Sequence, residues 1–446
     1  MTAAPSAAPS VRADLLAAVL RRVTVDRLRD AAAAMAAIPS PTGSEAPLAG
    51  WLAGQLSASG VEGHVQSIDA DQANAVGRVR SRRSGRDLML YAPIDTLTTG
   101  DPAVDLPWIG PELRPDMLPA ARVDGDLVTG LGASNPKGHA ACVLVTGQAY
   151  AEALAETGVV PAGDLVLAFG AGGMPTNALG PGRANTGHGV GASFLLERGW
   201  VTDAAVIAKP GDFVAHDEVG LCWFEVVVHG IHTYVGSRHR LAYDNPIVSA
   251  AEVVVRLERW LADYPARHRT DTAAPQGVIG AIAGGWERML AVTPAACRLR
   301  LDVRLAPGEQ PLDVRRELER FLAAVSAETG IRVDCELVTA IPGSRTDPAS
   351  WIVTETVRAW EATSGRPHEP VPDNSGATDA NILRNRGIPT ARVGMPKVVL
   401  DDTAVDFALG MNTVDVRAMR RLCEVLARVT VSTALCETDR PMEETT

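Results

Sequence analysis

Apolar positions along this chain recur with two periods, and the two alternate. "VDRLRDAAAAMAAI" and "EAPLAGWLAGQLSASG" set their apolar residues on a helical repeat, and Gly60 closes the second as a stop signal. "DLMLYAP", "DLVLAFG" and "DAAVIAKP" are short apolar runs bounded by Asp, Gly or Pro, which is the pattern of buried strands. Between the first two lies "KGHAACVLVTGQAYAEAL", a helix suited to link parallel strands. This order predicts an α/β sandwich around a mostly parallel sheet.

Near residue 213 the texture changes. "GLCWFEVVVHG" reads as a strand, and "NPIVSAAEVVVRLERWLADY" as a helix capped by Asn245 with Pro246 in its first turn. "QGVIGAIAGG", "ACRLRLDVRLAPG", the helix "PLDVRRELERFLAAVSAETG" and the strand "IRVDCELV" then complete a βαββαβ order, the split pattern of a ferredoxin-like domain. From about 340 the first texture resumes through "WIVTETVRAWEATSG", the loop "PDNSGATDANIL", the strand "IPTARVG" and the helix "VDVRAMRRLCEVLARVTVSTAL". The predicted organisation is an N-terminal extension over 1–24, an α/β domain over 25–212 and 340–446, and a second domain inserted over 213–339.

Composition narrows the function classes. With 46% hydrophobic and 21% charged residues in 446, the chain reads as an ordinary globular protein. Its 42 basic and 53 acidic residues give −11, which argues against nucleic acid or an anionic membrane as a partner. The six cysteines are scattered without a C-x-x-C pair, as expected in a reducing cytoplasm. Near the N-terminus the apolar run "LLAAVL", flanked by Asp14 and two arginines, is too short and polar for a signal peptide or spanning helix. The first ten residues, rich in Ala, Pro and Ser, are expected to be disordered.

An ordered series of motifs carries a resemblance: "APIDT", "GLGASNPKGHAA", "GWVTDAAVIAKPG", "WFEVVVHGIHTY", "YDNPI", "AVTPAACRLRLDVRLAPGE" and "SGATDANILRNRGIPT". Through them the chain resembles, over about residues 25–432, the metallopeptidase family of acetylornithine deacetylase, succinyl-diaminopimelate desuccinylase and glutamate carboxypeptidase. The resemblance implies a zinc-peptidase-like α/β/α sandwich with an inserted ferredoxin-like lid and dimerisation domain, and a homodimer formed through that domain. It also implies a pair of zinc ions held by His, Asp, Glu, Asp or Glu, and His on strand-end loops.

At each of those positions this chain departs from the pattern. Pro93 stands for the first histidine, Asn135 for the bridging aspartate, and Ala171, Gly172 and Gly173 for the paired glutamates. Lys209 replaces the acid before a proline, and only Asp406, Phe407, Ala408 and Leu409 stand where the last histidine belongs. An ammonium repels a dication and an amide bridges two poorly, so the expectation is a dismantled centre with neither metal nor cofactor.

The remaining candidates follow from the same alignment. Asp95, which the resemblance places behind the lost histidine, is expected to partner Lys209; the pair either fills the old cavity or lets Lys209 polarise a substrate oxygen or act as a base. Tyr234 in "GIHTY" matches a lid histidine that donates to the oxyanion, with His232 two residues earlier, and is either a donor in its place or an edge residue. His139 stands at a helix start, where the dipole lowers its pKa, and serves either as a neutral base or as a surface cap. Cys142 on that helix reads as core. Arg304 and Gly376 match the residues that hold a substrate carboxylate, Asn245 lies near the lid hinge, and Asn135 and His232 complete the substrate-binding candidates, while Ala291 replaces a family asparagine.

Three functions compete. The first is an enzyme acting without metal on an amide or related C–N bond of a small carboxylate-bearing molecule. The second is a catalytically silent relative that binds a ligand or regulates a partner. The third is a lyase, cyclase or amide-forming enzyme in the same cleft.

Overall fold

The computed structural model describes residues 9–179, 182–183, 186–400 and 405–436. The chain divides into two compact units, one of Met1–His216, Thr346–Pro370 and Thr378–Thr446, the other of Asp217–Arg345 with Val371–Ala377. The short return at Val371–Ala377 has no periodicity to announce it. Backbone bonds from Ala274 to the Asn374 carbonyl (3.2 Å) and from Asn374 to the Thr272 carbonyl (3.0 Å) tie it to the second unit.

The first unit is built on a six-stranded sheet in the order Glu62–Ser67, Ala73–Val79, Leu165–Gly170, Leu88–Pro93, Ala204–Ala208, Thr390–Val393. The last four strands are mutually parallel and entirely buried. That is why they read as continuous apolar runs rather than alternating ones. Successive residues still point to opposite faces: Leu88, Leu90 and Ala92 join one hydrophobic core, and Met89 and Tyr91 the other. Helices cover both faces, among them Lys137–Thr157 and Val416–Ala434 on the first and Val190–Glu197 and Ala380–Asn385 on the second. The result is an α/β/α sandwich whose parallel strands all end at one edge, where Pro93 lies opposite Gly170. In open sheets of this kind ligands bind at the carboxyl ends of the strands.

The segment expected as an extension is part of this core. Pro9–Arg22 is a helix with Leu15, Ala18 and Val19 enclosed, an i, i+3, i+4 stripe that buries against the first layer. The expected disorder of the first ten residues falls mainly on 1–8, outside the described residues, while Pro9 and Ser10 open the helix.

The second unit has the antiparallel sheet Gly277–Gly284, Ala296–Leu305, Gly220–His229, Val333–Ile341, with helices Pro246–His268 and Pro311–Thr329. Its central strands alternate buried with partly exposed residues, as Gly220–His229 does from Trp223 onward, because only one face carries helices. Element order and pairing are those of the βαββαβ ferredoxin-like domain. Among the described residues no helix is long and apolar enough to cross a membrane.

Candidate functional site

The loops that leave the parallel strands converge on Asp95, two residues past the strand Leu88–Pro93. Its carboxylate is fully buried and accepts from Thr42 Oγ1 (2.6 Å), Gly173 N (2.8 Å) and Met174 N (3.0 Å). Burial pushes its pKa up, while these donors and the charge of Lys209 pull it down. The expected partnership with Lys209 is therefore an electrostatic one, and the hydrogen bonds holding Asp95 come from the two loops on either side.

Those loops show why the expected zinc donors do not fit here. A Cβ on Gly173 would lie 2.4 Å from Pro93 Cβ and 2.7 Å from Asp379 Oδ2, so the proline ring and the bare glycine occupy one space together. A longer side chain at 173 would collide with Pro93. Among the described residues no group of three or more His, Cys, Asp or Glu is placed to hold a metal ion. An ammonium, an amide, a proline and glycines are not a zinc donor set.

Lys209, 5% exposed, follows the strand Ala204–Ala208 and donates from Nζ to Asn135 Oδ1 at a long 3.4 Å. Its backbone is fixed by a bond from its amide to the Val393 carbonyl (3.1 Å), and Gly394 passes so close that a Cβ there would sit 1.7 Å from the Lys209 oxygen. Asn135, partly exposed, also lines a cavity of about 330 Å³ shared with Thr96, Trp108 and Phe407. Lys209 and Asn135 are thus brought together, one nearly enclosed and the other reaching open space.

His139 corrects one expectation. It lies in the first turn of Lys137–Thr157, yet it is wholly enclosed rather than a surface cap. Its Nδ1 faces the Ser134 carbonyl at 2.8 Å, which makes that nitrogen the N–H donor and leaves Nε2 as the lone-pair atom, buried without a partner among the described residues. Burial, not the helix dipole, is the main cause that drives its pKa down to about 3, and the charges of Lys209 and Arg392 add to it. Cys142 on the same helix is also enclosed and its thiol pKa is pushed up.

Three residues here escaped the reading of the sequence. Glu45, the residue before the helix Ala46–Ala58, accepts at Oε1 from Gly172 N (2.8 Å), Gly43 N (3.0 Å) and Gln72 Nε2 (3.3 Å), while Oε2 is buried without a partner. Burial, and then the nearby Asp95 charge, raise its pKa to about 8, so it holds a proton at neutral pH. Tyr91 donates to Asp379 Oδ2 at 2.6 Å from the opposite layer. Lys137 donates to the Ile38 carbonyl at 2.7 Å, and burial lowers its pKa to about 7. A glutamate at a helix start after "PSPTGS" and a lone tyrosine in an aliphatic strand were the available signals.

Comparison with known proteins bears on both units. The model of the peptidase dimerisation domain of M20 peptidases matches residues 217–330. Residues 217–330 are an M20-type dimerisation domain. The whole chain also resembles solved structures of M20-type architecture. Human carnosine dipeptidase 1 superposes with a TM-score of 0.68 at 14% identity over 96% of this chain and 100% of that one. The dipeptidase Dug1p of Saccharomyces cerevisiae gives 0.67 at 13% over 94% and 98%. The Bacillus subtilis YXEP protein, a dinuclear metal binding peptidase from the M20 family, gives 0.61 at 15% over 92% and 99%. At such identities the likeness is one of fold.

Within the M20-type domain the sequence candidates are spread out and satisfied locally. Arg304, expected to grip a substrate carboxylate, donates from Nε (2.7 Å) and Nη2 (3.1 Å) to Asp302 on its own strand, so one edge of its guanidinium is already engaged. Asn245 caps Pro246–His268 by accepting from Ile247 N at 3.1 Å. His232 Nδ1 donates to the Thr293 carbonyl at 2.7 Å, and Tyr234 stands 54% exposed. Gly376, in the return segment of this unit, donates to Asn374 Oδ1 at 3.1 Å.

Proposed function

We propose that this chain is a divergent hydrolase of the M20 peptidase and amidohydrolase type that acts, without a dinuclear zinc centre, on an amide or related C–N bond of a small carboxylate-bearing molecule. The observation that carries this reading is the place of Lys209 and Asn135: a nearly buried ammonium and a partly open amide, at the carboxyl edge of the parallel sheet, beside a cavity. Hydrolysis of an amide needs positive charge or donors aimed at the carbonyl oxygen as it becomes an oxyanion. Lys209 would supply the charge and Asn135 the donor, with water as nucleophile. The reading includes a homodimer through residues 217–330, supported by the match of that segment to a dimerisation domain.

A second reading has its own support. Asp95 is closed in by three donors and His139 is sealed in the interior, so neither is open to a substrate. This favours a catalytically silent relative that binds a ligand. The two separate in one experiment, turnover of a panel of N-acyl amino acids in the presence of a metal chelator. Under the first reading the wild type turns over at least one of them and Lys209→Met abolishes this while circular dichroism is unchanged. Unaltered turnover in Lys209→Met would sink the role of Lys209, and no turnover by the wild type would favour the silent relative.

A further inference from the structure

The cavity beside Asn135 has a chemical character of its own. Its walls include Leu97, Trp108, Met117, Leu131, Phe407 and Met411, with Trp108 on the short helix Pro102–Ile109 and Phe407 and Met411 on Phe407–Asn412. The two charged residues on it, Arg114 and Asp406, cancel each other: the guanidinium meets the Asp406 carboxylate at 2.6 and 3.1 Å and also grips Asp116 at 2.9 Å. A ligand entering there meets no unpaired charge from this lining. Trp108 and Phe407 are 61% and 72% exposed, two large rings left to water at one cavity. Exposed aromatic surface gathered around a concavity is the usual mark of a ligand that covers it.

We propose that this cavity is a recognition site for a small, uncharged aromatic group, held between Trp108 and Phe407 and attached to an amide whose polar end reaches Asn135. The volume of about 330 Å³ is at the lower end of small-molecule sites, enough for one ring and its linker. Ring contacts with Trp and Phe add to the apolar area removed from water, whereas a second carboxylate placed between those rings would lose its hydration beside an Arg114 already shared by Asp406 and Asp116. The inference rests on the reading of the Lys209 and Asn135 edge as an amide-acting centre, and it names the acyl side of the substrate.

The test compares three probes that differ only in the acyl group: N-benzoylglycine, N-acetylglycine and N-succinylglycine, titrated by calorimetry into the full-length protein. N-Benzoylglycine is expected to bind at least tenfold tighter than N-acetylglycine, and N-succinylglycine no tighter than N-acetylglycine. Trp108→Ala and Phe407→Ala, both at exposed positions where folding is not at risk, should each cut that preference at least threefold. Equal affinity for the three, a preference for the succinyl probe, a preference untouched by both substitutions, or no binding of the benzoyl probe would each overturn the proposal. Lys209→Met keeps the two readings apart. A benzoyl preference without turnover in the wild type would leave the cavity standing and remove the catalytic role, and turnover without the preference would do the reverse.

Discussion

The polar groups singled out in the two units have surroundings that differ in kind. In the first unit Asp95, Glu45, His139 and Lys137 are sealed at the strand ends, and burial leads the causes that move their pKa values, by as much as from 4.5 to about 8 at Glu45. In the M20-type domain Arg304, Asn245 and His232 each have a partner within their own unit and sit at or near the surface. Strongly perturbed groups cluster where a fold has been shaped for something other than stability. On the proposed reading the strand ends are where the chemistry would take place, and the second unit contributes residues whose present contacts suffice for structure.

The sharpest way to break this contrast is Asp95→Ala. It would leave the Thr42 hydroxyl and the Gly173 and Met174 amides as buried donors without their acceptor, at a cost of about 3 kcal/mol or more. A fall in the urea midpoint with an unchanged m-value is the expected result, and a loss under about 1 kcal/mol would mean that the loops re-pair on their own.

Glu45→Gln should act less, and with a sign that depends on pH. Because the folded pKa of about 8 lies above the ordinary 4.5, the folded state holds this proton more tightly than the unfolded chain does, so stability falls as pH rises between those values and is level above them. The glutamine, with no proton to lose, should gain on the wild type by about 1.4 kcal/mol for each pH unit between the two pKa values, reach its full advantage by pH 9 and lose it towards pH 5. Parallel denaturation curves at the two pH values, with no change in the difference, would show that Glu45 is charged in both states.

The smallest effect is expected at Arg304. Its half-screened pair with Asp302 is worth about 1 kcal/mol, and Arg304→Ala should cost no more than that in stability while leaving KM for any carboxylate-bearing substrate within a factor of two. A tenfold rise in KM would return Arg304 to the role of carboxylate ligand and blur the contrast between the units.

The fold was legible because its signals are local or periodic. Continuous apolar strands spaced by helices can only be buried on both faces, and the switch to half-buried alternation near residue 213 marks a sheet with one covered face. The N-terminal helix was missed because Ala/Pro/Ser composition spoke for disorder while only Leu15, Ala18 and Val19 spoke for packing. Of the candidate residues, motif order located Lys209 and Asp95 just past parallel strands and Asn135 in the turn before the helix Lys137–Thr157, while their roles are not written in it.

What the sequence by itself determined is the order of strands and helices and the change from continuous to alternating apolar strands, since each follows from neighbours along the chain. Only the tertiary structure decided that Pro93 and Gly173 share one space, that Glu45 and Asp95 sit close enough to raise the proton affinity of the first, that His139 is sealed, and that Trp108 and Phe407 face one cavity from segments about three hundred residues apart. Steric exclusion and burial act through space, and a pKa or a cavity has no value until distant segments have packed.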